Sequence, residues 1–194
     1  MIQILKSENY HEGRWLNGLG VSWDIVAAPP DAGAQDFEWR MALARIDSSV
    51  AFSHYANVDR IFTLIEGKGL DLVFNDHKVM KIDQRFVPHE FPGDVKTACV
   101  VNNGPCRALN LFIRRGTWKT SVRVLSAKDD LNIASAQTIL SFALQGSFKL
   151  AAGGTLNCGD ALHLSPDNSA DLQPQSQDAL LYVATITPIQ ISTS

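Results

Sequence analysis

Three polar residues suited to ligand binding interrupt segments that otherwise read as buried β-strands. Arg40 has small neighbours on one face of an alternating strand, Arg60 opens a strongly apolar strand, and Asn110 stands between two leucines. A buried guanidinium needs a partner, because an unpaired buried charge is unfavourable. An arginine that points into a barrel could bind a carboxylate through two parallel hydrogen bonds. An arginine that stays within the sheet would instead pair with Asp59 or Glu66 and tie strands together, and the spacing leaves both interpretations open.

Four further residues complete the candidate ligand site. Trp15 in a β-barrel either packs in the core or lines a pocket. Asn17 follows Leu16 and precedes a glycine, where an amide either serves a turn or offers a ligand both a donor and an acceptor. His54 lies in a predicted loop, where it is either solvated or a proton donor to a ligand. With Asp59 included, the candidates for ligand binding are Trp15, Asn17, Arg40, His54, Asp59, Arg60 and Asn110.

The composition favours a soluble globular protein and excludes several function classes. With 194 residues, 45% apolar and 19% charged, the chain can bury a substantial core. A formal net charge of −3 gives no electrostatic reason to expect nucleic acid or an anionic membrane as a partner. No run reaches the roughly 18 to 20 apolar residues that span a bilayer. An odd number of cysteines without a C-x-x-C pair, and the lack of a visible secretory signal, predict a cytoplasmic protein.

The hydrophobic pattern predicts an all-β protein with two similar barrels. Period-two alternation is common, and short apolar runs are separated by glycine, proline and asparagine turns. Leu64–Leu72 leads on to Phe91–Asp94, and Ala143–Leu150 leads on to Leu156–Asp160, so each copy has a strand, a glycine turn, a second strand and a Gly-Asp turn. This punctuation is typical of a bicupin, which has two double-stranded β-helix barrels in one chain. We predict barrels at residues 1–125 and 126–194, with Gly67 and Gly146 in equivalent turns.

The histidines are too scattered to predict a metal centre. Metal-binding cupins present two closely spaced histidines, a carboxylate and another histidine after the second Gly-Asp turn. Here the corresponding stretch offers His54 and Asp59, and no histidine follows Phe91–Asp94 until His163. No G-x-S-x-G elbow is present. Inert buried thiols are expected from the apolar surroundings of Cys99, Cys106 and Cys158. We therefore expect no metal, no cofactor and no covalent catalytic residue.

Four stretches in the first two thirds of the chain follow a recognisable pattern: Trp15–Gly20, similar to W-K-N-G-G-G; Phe37–Ala44; Phe52–Arg60 with Leu64–Gly67; and Phe91–Asp94 with Leu109–Gly116. Together they resemble the HutD/Ves family of cytoplasmic bacterial double cupins. The chain departs from the family pattern at Leu16 and Leu19, where a lysine and a glycine are usual. The lost lysine removes a cation from a stretch that the resemblance places at the ligand site.

The resemblance implies a small-molecule pocket in the first barrel and an accessory or regulatory role in histidine utilisation or a stress response. We predict reversible, non-catalytic binding of a carboxylate metabolite such as urocanate, histidine or a formylglutamate-like compound. One alternative is a metal-free isomerase or epimerase that uses His54 with Asp59 or Glu66 as acid and base. Another is a pure interaction protein, for instance a homodimer formed by strand addition at a barrel edge.

Overall fold

The computed structural model describes residues 1–190, which contain β-strands, one 3-10 turn at Ser7–Asn9 and no α-helix. The strands up to residue 92 are β1 (Ile2–Leu5), β2 (His11–Arg14), β3 (Val21–Ala28), β4 (Trp39–Ile46), β5 (Val50–Ala51), β6 (Val58–Glu66), β7 (Leu70–Phe74), β8 (Lys78–Ile82) and β9 (Pro88–Pro92). The remaining strands are β10 (Thr97–Val101), β11 (Cys106–Arg114), β12 (Trp118–Ser126), β13 (Asn132–Ser135), β14 (Thr138–Gln145), β15 (Phe148–Leu150), β16 (Thr155–Leu156), β17 (Ala161–Leu164), β18 (Asn168–Pro174) and β19 (Leu180–Pro188). The all-β prediction is confirmed.

The chain divides into two compact units. The first unit is His11–Trp118, and the second unit combines Met1–Tyr10 with the residues from Lys119 onward. The sequence analysis assigned the first ten residues to the first barrel, but β1 pairs with β17, with Ile2 opposite Leu164. Ile4 packs against the core of the second unit. The pairing partner of a short strand is set by tertiary packing, so its position in the sequence does not reveal it. The predicted second barrel also includes residues 191–194, which lie outside the described residues.

The first unit contains two antiparallel sheets, with strand orders β2-β3-β4-β11-β6-β9 and β5-β10-β7-β8. β11 lies between β4 and β6, and it brings Asn110 opposite Ala42 on one side and Phe62 on the other. Alternating side chains of these strands point to one face, where they join a core of large aliphatic and aromatic residues. The buried members of this core are Ile46, Phe52, Phe62, Leu64, Leu70, Leu72, Phe74, Ile82, Phe91, Cys99, Cys106 and Ala108.

The second unit also contains two antiparallel sheets, with strand orders β1-β17-β14-β19-β12 and β13-β18-β15-β16. A buried carboxylate, Asp160, fastens the segment after β1 to this unit. Asp160 accepts hydrogen bonds from Lys6 Nζ at 2.8 Å, from the Ser7 N–H at 2.9 Å and from the Asn157 N–H at 3.0 Å. The apolar core of the unit is formed by Leu125, Leu131, Ile133, Ile139, Ala143, Phe148, Leu150, Leu156, Leu162, Leu164, Ala170, Leu172, Ala179, Leu181 and Val183.

Each unit turns at a glycine after one of its long strands. Gly67 follows β6 and Gly146 follows β14, and both have positive φ values, 104° and 70°. A Cβ atom on Gly67 would lie 2.7 Å from the Sγ of Cys106, so both backbone conformation and space favour glycine there. The pairing of each long strand with its neighbour shifts register close to this turn. The two glycines thus occupy matching positions in the two units.

The Gly-Asp turns are not equivalent in the two units. The Leu64 carbonyl accepts a hydrogen bond from the Phe86 N–H at 2.8 Å, and the Ala143 carbonyl accepts one from Gly159 at 2.9 Å. Phe86 and Gly159 both have left-handed backbone, with φ of 69° and 89°. The counterpart of Gly159-Asp160 is therefore the turn at Phe86, before β9, whereas Gly93-Asp94 follows β9. The alignment of the two Gly-Asp pairs was wrong because the repeat preserves the hydrogen bonds of this turn but not its residue types.

Candidate functional site

A cavity inside the first unit contains most of the polar side chains that the sequence analysis singled out. Its polar wall is formed by Ser22, Arg40, Ser53, Arg60 and Asn110, and its aromatic wall by Trp15, Phe52, Tyr55, Phe62 and Phe112. About 30 Å³ is open to the centres of water-sized spheres. A water molecule needs roughly 10 to 15 Å³ by this measure. The cavity therefore has room for about two waters or one carboxylate group.

Arg60 is the central charged residue of this cavity. It lies on β6, opposite Phe112 of β11 and Phe91 of β9, and only 6% of its surface is exposed. One guanidinium nitrogen, Nη2, donates to Asn110 Oδ1 at 2.7 Å, while Nε has no hydrogen-bond partner within residues 1–190. Burial lowers the pKa of Arg60 to about 10, so the side chain remains a cation at neutral pH. Its hydrogen bonding is incomplete, which is unusual for a buried arginine.

Aromatic rings hold the Arg60 guanidinium in place. Its Cζ lies 4.8 Å from the ring centre of Phe52, 5.1 Å from that of Phe91 and 5.0 Å from that of Phe112. Such stacking supplies a modest electrostatic stabilisation without using any N–H donor. Gly93 leaves room for the stem, because a Cβ there would lie 3.3 Å from Arg60 Cγ and 2.9 Å from the Val58 carbonyl oxygen. The fold therefore fixes the guanidinium without satisfying all of its N–H donors.

Arg40 is the second cation of the wall, and it has an acidic partner. Its Nε donates to Asp24 Oδ1 at 2.8 Å, and its Nη2 contacts the same oxygen. Arg40 lies on β4 and is 8% exposed, whereas 43% of the Asp24 side chain is exposed. The Arg40 Cζ is 5.7 Å from the ring centre of Phe112, so both arginines face this ring. Arg40 is therefore neutralised within the protein, and Arg60 is not.

The loop at residues 15–20 borders the cavity beside Ser53. The Trp15 Nε1 donates to the Val21 carbonyl at 2.9 Å, and the Asn17 N–H donates to Ser53 Oγ at 3.2 Å. The Asn17 side chain donates to the Ala51 carbonyl at 2.8 Å and accepts from the Leu19 N–H at 3.1 Å. Asn17 thus positions the loop that carries Trp15.

Replacement of Asn17 by alanine should lower the free energy of unfolding by about 1 kcal/mol or less. Both hydrogen bonds of its side chain are exposed, so water can replace them, and a typical intramolecular hydrogen bond contributes only about 0.5 to 1.5 kcal/mol. Urea unfolding of Asn17→Ala and of wild type measures this difference. A loss above about 3 kcal/mol would mean that the loop is part of the folding core.

Arg114, at the end of β11, joins two loops near the cavity. Its guanidinium donates to the carbonyls of Gln35 at 2.6 Å, Phe37 at 2.9 Å and Ala56 at 3.2 Å. Phe37 and Tyr55 pack with Phe112 in a buried aromatic cluster, with ring centres 5.0 to 6.0 Å apart. The two chain segments that carry Phe37 and Tyr55 are therefore joined through one side chain.

The seven sequence-predicted residues divide into three groups. Trp15, Arg40, Arg60 and Asn110 line the cavity, and Asn17 lies beside it through Ser53. The other two are His54, which is exposed, and Asp59, whose Oδ1 accepts from Arg115 Nη2 at 2.6 Å. Neither of these two is among the residues that line the cavity.

The pairing proposed for the arginines within the sheet was wrong. Among the described residues, neither Arg40 nor Arg60 has an ion pair with Asp59 or Glu66. Arg40 pairs with Asp24, and Glu66 pairs on the surface with Arg107 at 3.0 Å. Spacing along the chain could not reveal these partners, since each pair joins different strands.

Sequence reasoning missed Ser53, Tyr55 and Asp24. Ser53 and Tyr55 flank His54, and they line the cavity while His54 is exposed. Alternation within this short segment could have identified them. Asp24 had no comparable signal, because it follows Trp23 in a strand with no other charged residue.

The cysteines differ in their surroundings. Cys99 and Cys106 are buried, and burial raises the pKa of Cys99 to about 12, as expected of an inert thiol. Cys158 is exposed, so the expectation of burial was wrong for this residue, which lies in the turn before β17. Within residues 1–190 no three His, Cys, Asp or Glu side chains lie close enough together to hold a metal ion. The same residues contain no helix long and apolar enough to cross a membrane.

Comparison with known proteins identifies the family. The HutD family model matches residues 7–182. An uncharacterized 21.2 kDa protein from the hutC 3' region of Pseudomonas putida is 26% identical over 153 residues, which are 79% of each chain. Protein Ves from Citrobacter koseri is 29% identical over 157 residues, 80% of this chain and 75% of Ves.

Solved structures show the same fold. HutD from Pseudomonas fluorescens SBW25, determined in a formate condition, has a TM-score of 0.82 at 23% identity and covers 98% of this chain and 100% of its own. A cupin 2 conserved barrel domain protein from Leptotrichia buccalis has a TM-score of 0.61 at 9% identity, over 90% of this chain and 91% of its own. The predicted cupin fold and the resemblance noted in the sequence are both confirmed, and this chain belongs to the HutD family.

Proposed function

We propose that the protein reversibly binds a small carboxylate metabolite in the cavity of the first unit. The observation that carries this proposal is Arg60, a buried cation with one neutral hydrogen-bond partner, Asn110, and an Nε that has none within residues 1–190. A carboxylate at the guanidinium of Arg60 would supply the missing negative charge and a further hydrogen-bond acceptor. The cavity volume of about 30 Å³ suits one carboxylate group.

The setting we propose is histidine utilisation, in an accessory or regulatory role. A relative from the hutC 3' region and the structure of a protein named HutD support this setting. Urocanate, histidine and formylglutamate-like compounds each carry a carboxylate and are the candidate ligands. A stress response, which the family resemblance implies for the Ves branch, is the alternative setting, and relatives named Ves also match this chain.

Binding without catalysis is favoured by where the acid-base candidates lie. His54 is exposed, Asp59 is held by Arg115, and Glu66 is held by Arg107. A general acid or base must come within hydrogen-bond reach of the reacting group. The side chains named for an isomerase or epimerase reaction are not assembled in the cavity wall.

A panel of matched ligands tests the proposal directly. Formate, acetate and urocanate should raise the melting temperature of the wild-type protein, whereas formamide, acetamide and urocanamide should not, because an amide lacks the charge that Arg60 requires. A ligand at a hundred times its dissociation constant stabilises a fold by about 2.7 kcal/mol. Equal shifts with acids and amides, or none with either, would contradict carboxylate binding. Consumption of urocanate or histidine during incubation would instead support an enzyme.

A further inference from the structure

The two arginines of the cavity wall differ in charge balance. Arg40 donates to the carboxylate of Asp24, whereas the hydrogen-bond partner of Arg60 is the neutral amide of Asn110. None of the residues that line the cavity is acidic, and the carboxylate of Asp24, beside Arg40, compensates one of the two cations. The site therefore has one uncompensated positive charge.

Asp24 lies on the face of the sheet that carries Arg40. Asp24 stands directly opposite Ala42, which lines the cavity, and opposed residues of an antiparallel pair share a face. The register shifts between Asp24 and Val26, so Ala27 instead of Val26 lies opposite Arg40. A small side chain at this position leaves room for the guanidinium to turn toward Asp24.

We propose that Asp24 sets the charge of the ligand that the cavity accepts, and that it selects a single carboxylate over a dianion. This inference rests on the proposed function. One carboxylate is neutralised by Arg60. A second anionic group beside Arg40 would find its guanidinium already occupied and would meet the negative charge of Asp24. Among the candidate ligands, the inference favours urocanate and histidine, which have one carboxylate, over formylglutamate, which has two.

The test compares two ligands of the same length that differ in one charge. At pH 7.5 succinate is a dianion, while succinamate carries one carboxylate and one amide. Isothermal titration of wild type should give tighter binding of succinamate. In Asp24→Asn the charge of Arg40 is no longer compensated, and the ratio of the two dissociation constants should move toward succinate by about tenfold to a hundredfold, the effect of one charge-assisted hydrogen bond.

Two control variants complete the design. Asp47→Asn removes an exposed aspartate that pairs with Arg45 in the same unit, and it should leave the ratio unchanged. In Arg40→Gln, Asp24 is left without its cation and should weaken succinamate binding about tenfold. The double variant Asp24→Asn/Arg40→Gln should restore that binding. This second comparison retains a test of Asp24 if Asp24→Asn alone does not fold.

The outcomes separate this inference from the proposed function. Suppose that wild type binds succinamate. If Asp24→Asn then shows the same preference, or the double variant shows no recovery, the role of Asp24 is overturned and the proposed function is not. If wild type binds neither acid, carboxylate binding itself is overturned, and the selection by Asp24 with it. A shift of preference in Asp24→Asn together with recovery in the double variant supports both.

Discussion

Arg60→Met should abolish the stabilisation by carboxylates while the ligand-free protein remains folded. A charge-assisted hydrogen bond contributes roughly 1.5 to 3 kcal/mol, so its loss weakens binding by about tenfold to a hundredfold. In the ligand-free protein two effects oppose each other. Methionine removes a buried cation, which is often neutral or favourable, but it leaves Asn110 Oδ1 without its donor at a cost of about 1 to 3 kcal/mol. The melting temperature without ligand should therefore change by only a few degrees.

Differential scanning fluorimetry with and without acetate or urocanate measures both effects. Arg45→Met is the matched control, because Arg45 is exposed and pairs with Asp47 away from the cavity wall. This control should keep the full ligand shift. A large loss of ligand-free stability in Arg60→Met, with the ligand shift intact in Asn17→Ala, would argue that Arg60 is a structural residue.

Asp160→Asn should cause the largest loss of stability, about 2 to 4 kcal/mol, without touching the cavity. Its side chain is 4% exposed and accepts from one ammonium and two backbone N–H groups. An asparagine can keep some of these contacts through its single oxygen, but it loses the negative charge opposite Lys6. Removal of one partner of a buried ion pair is typically costly. Urea unfolding checks the value, and Asp171→Asn, at an exposed aspartate of the same unit, should be nearly neutral.

The same residue predicts a dependence on pH. Burial alone would raise the pKa of Asp160, but the hydrogen bonds from Lys6, Ser7 and Asn157 outweigh burial and hold the pKa below its usual 3.8. A lowered pKa in the folded state means that the stabilisation is complete above the unfolded value and is lost as pH falls below it. The difference in the free energy of unfolding between wild type and Asp160→Asn should therefore be largest at pH 6 and should shrink below about pH 3.8. A difference that stays constant down to pH 2 would contradict this role of the carboxylate.

The sequence was sufficient for the fold and for half of the site. Alternation along β4 placed Arg40, Ala42 and Ala44 on one face, and all three line the cavity. The turns at Gly67 and Gly146 were identifiable because a positive φ strongly favours glycine. Local patterns of this kind reveal which face a residue occupies within its own strand.

Ion-pair partners on different strands could not be identified from local patterns. Asp24 and Arg40 lie on two different strands, and neither strand carries a residue pattern that marks the other as its partner. The ion pair between Lys6 and Asp160 spans 154 residues. At this separation in the sequence, nothing distinguishes this carboxylate and this cation from other charged residues of the chain. The two Gly-Asp pairs were aligned wrongly for a related reason: a turn can keep its hydrogen bonds while its residue types change.

The pairing of β1 with β17 has a consequence for folding during synthesis. The first unit is continuous in sequence and can form as soon as Trp118 has emerged, whereas β1 must wait for a strand that follows it by about 155 residues. At roughly 5 to 20 residues per second, the ribosome needs about 8 to 30 s to supply that partner. During this interval the edge of β1 is open to other strands. Gln3 within β1 and Lys6 directly after it are polar residues suited to keeping this segment in solution until β17 has been synthesised.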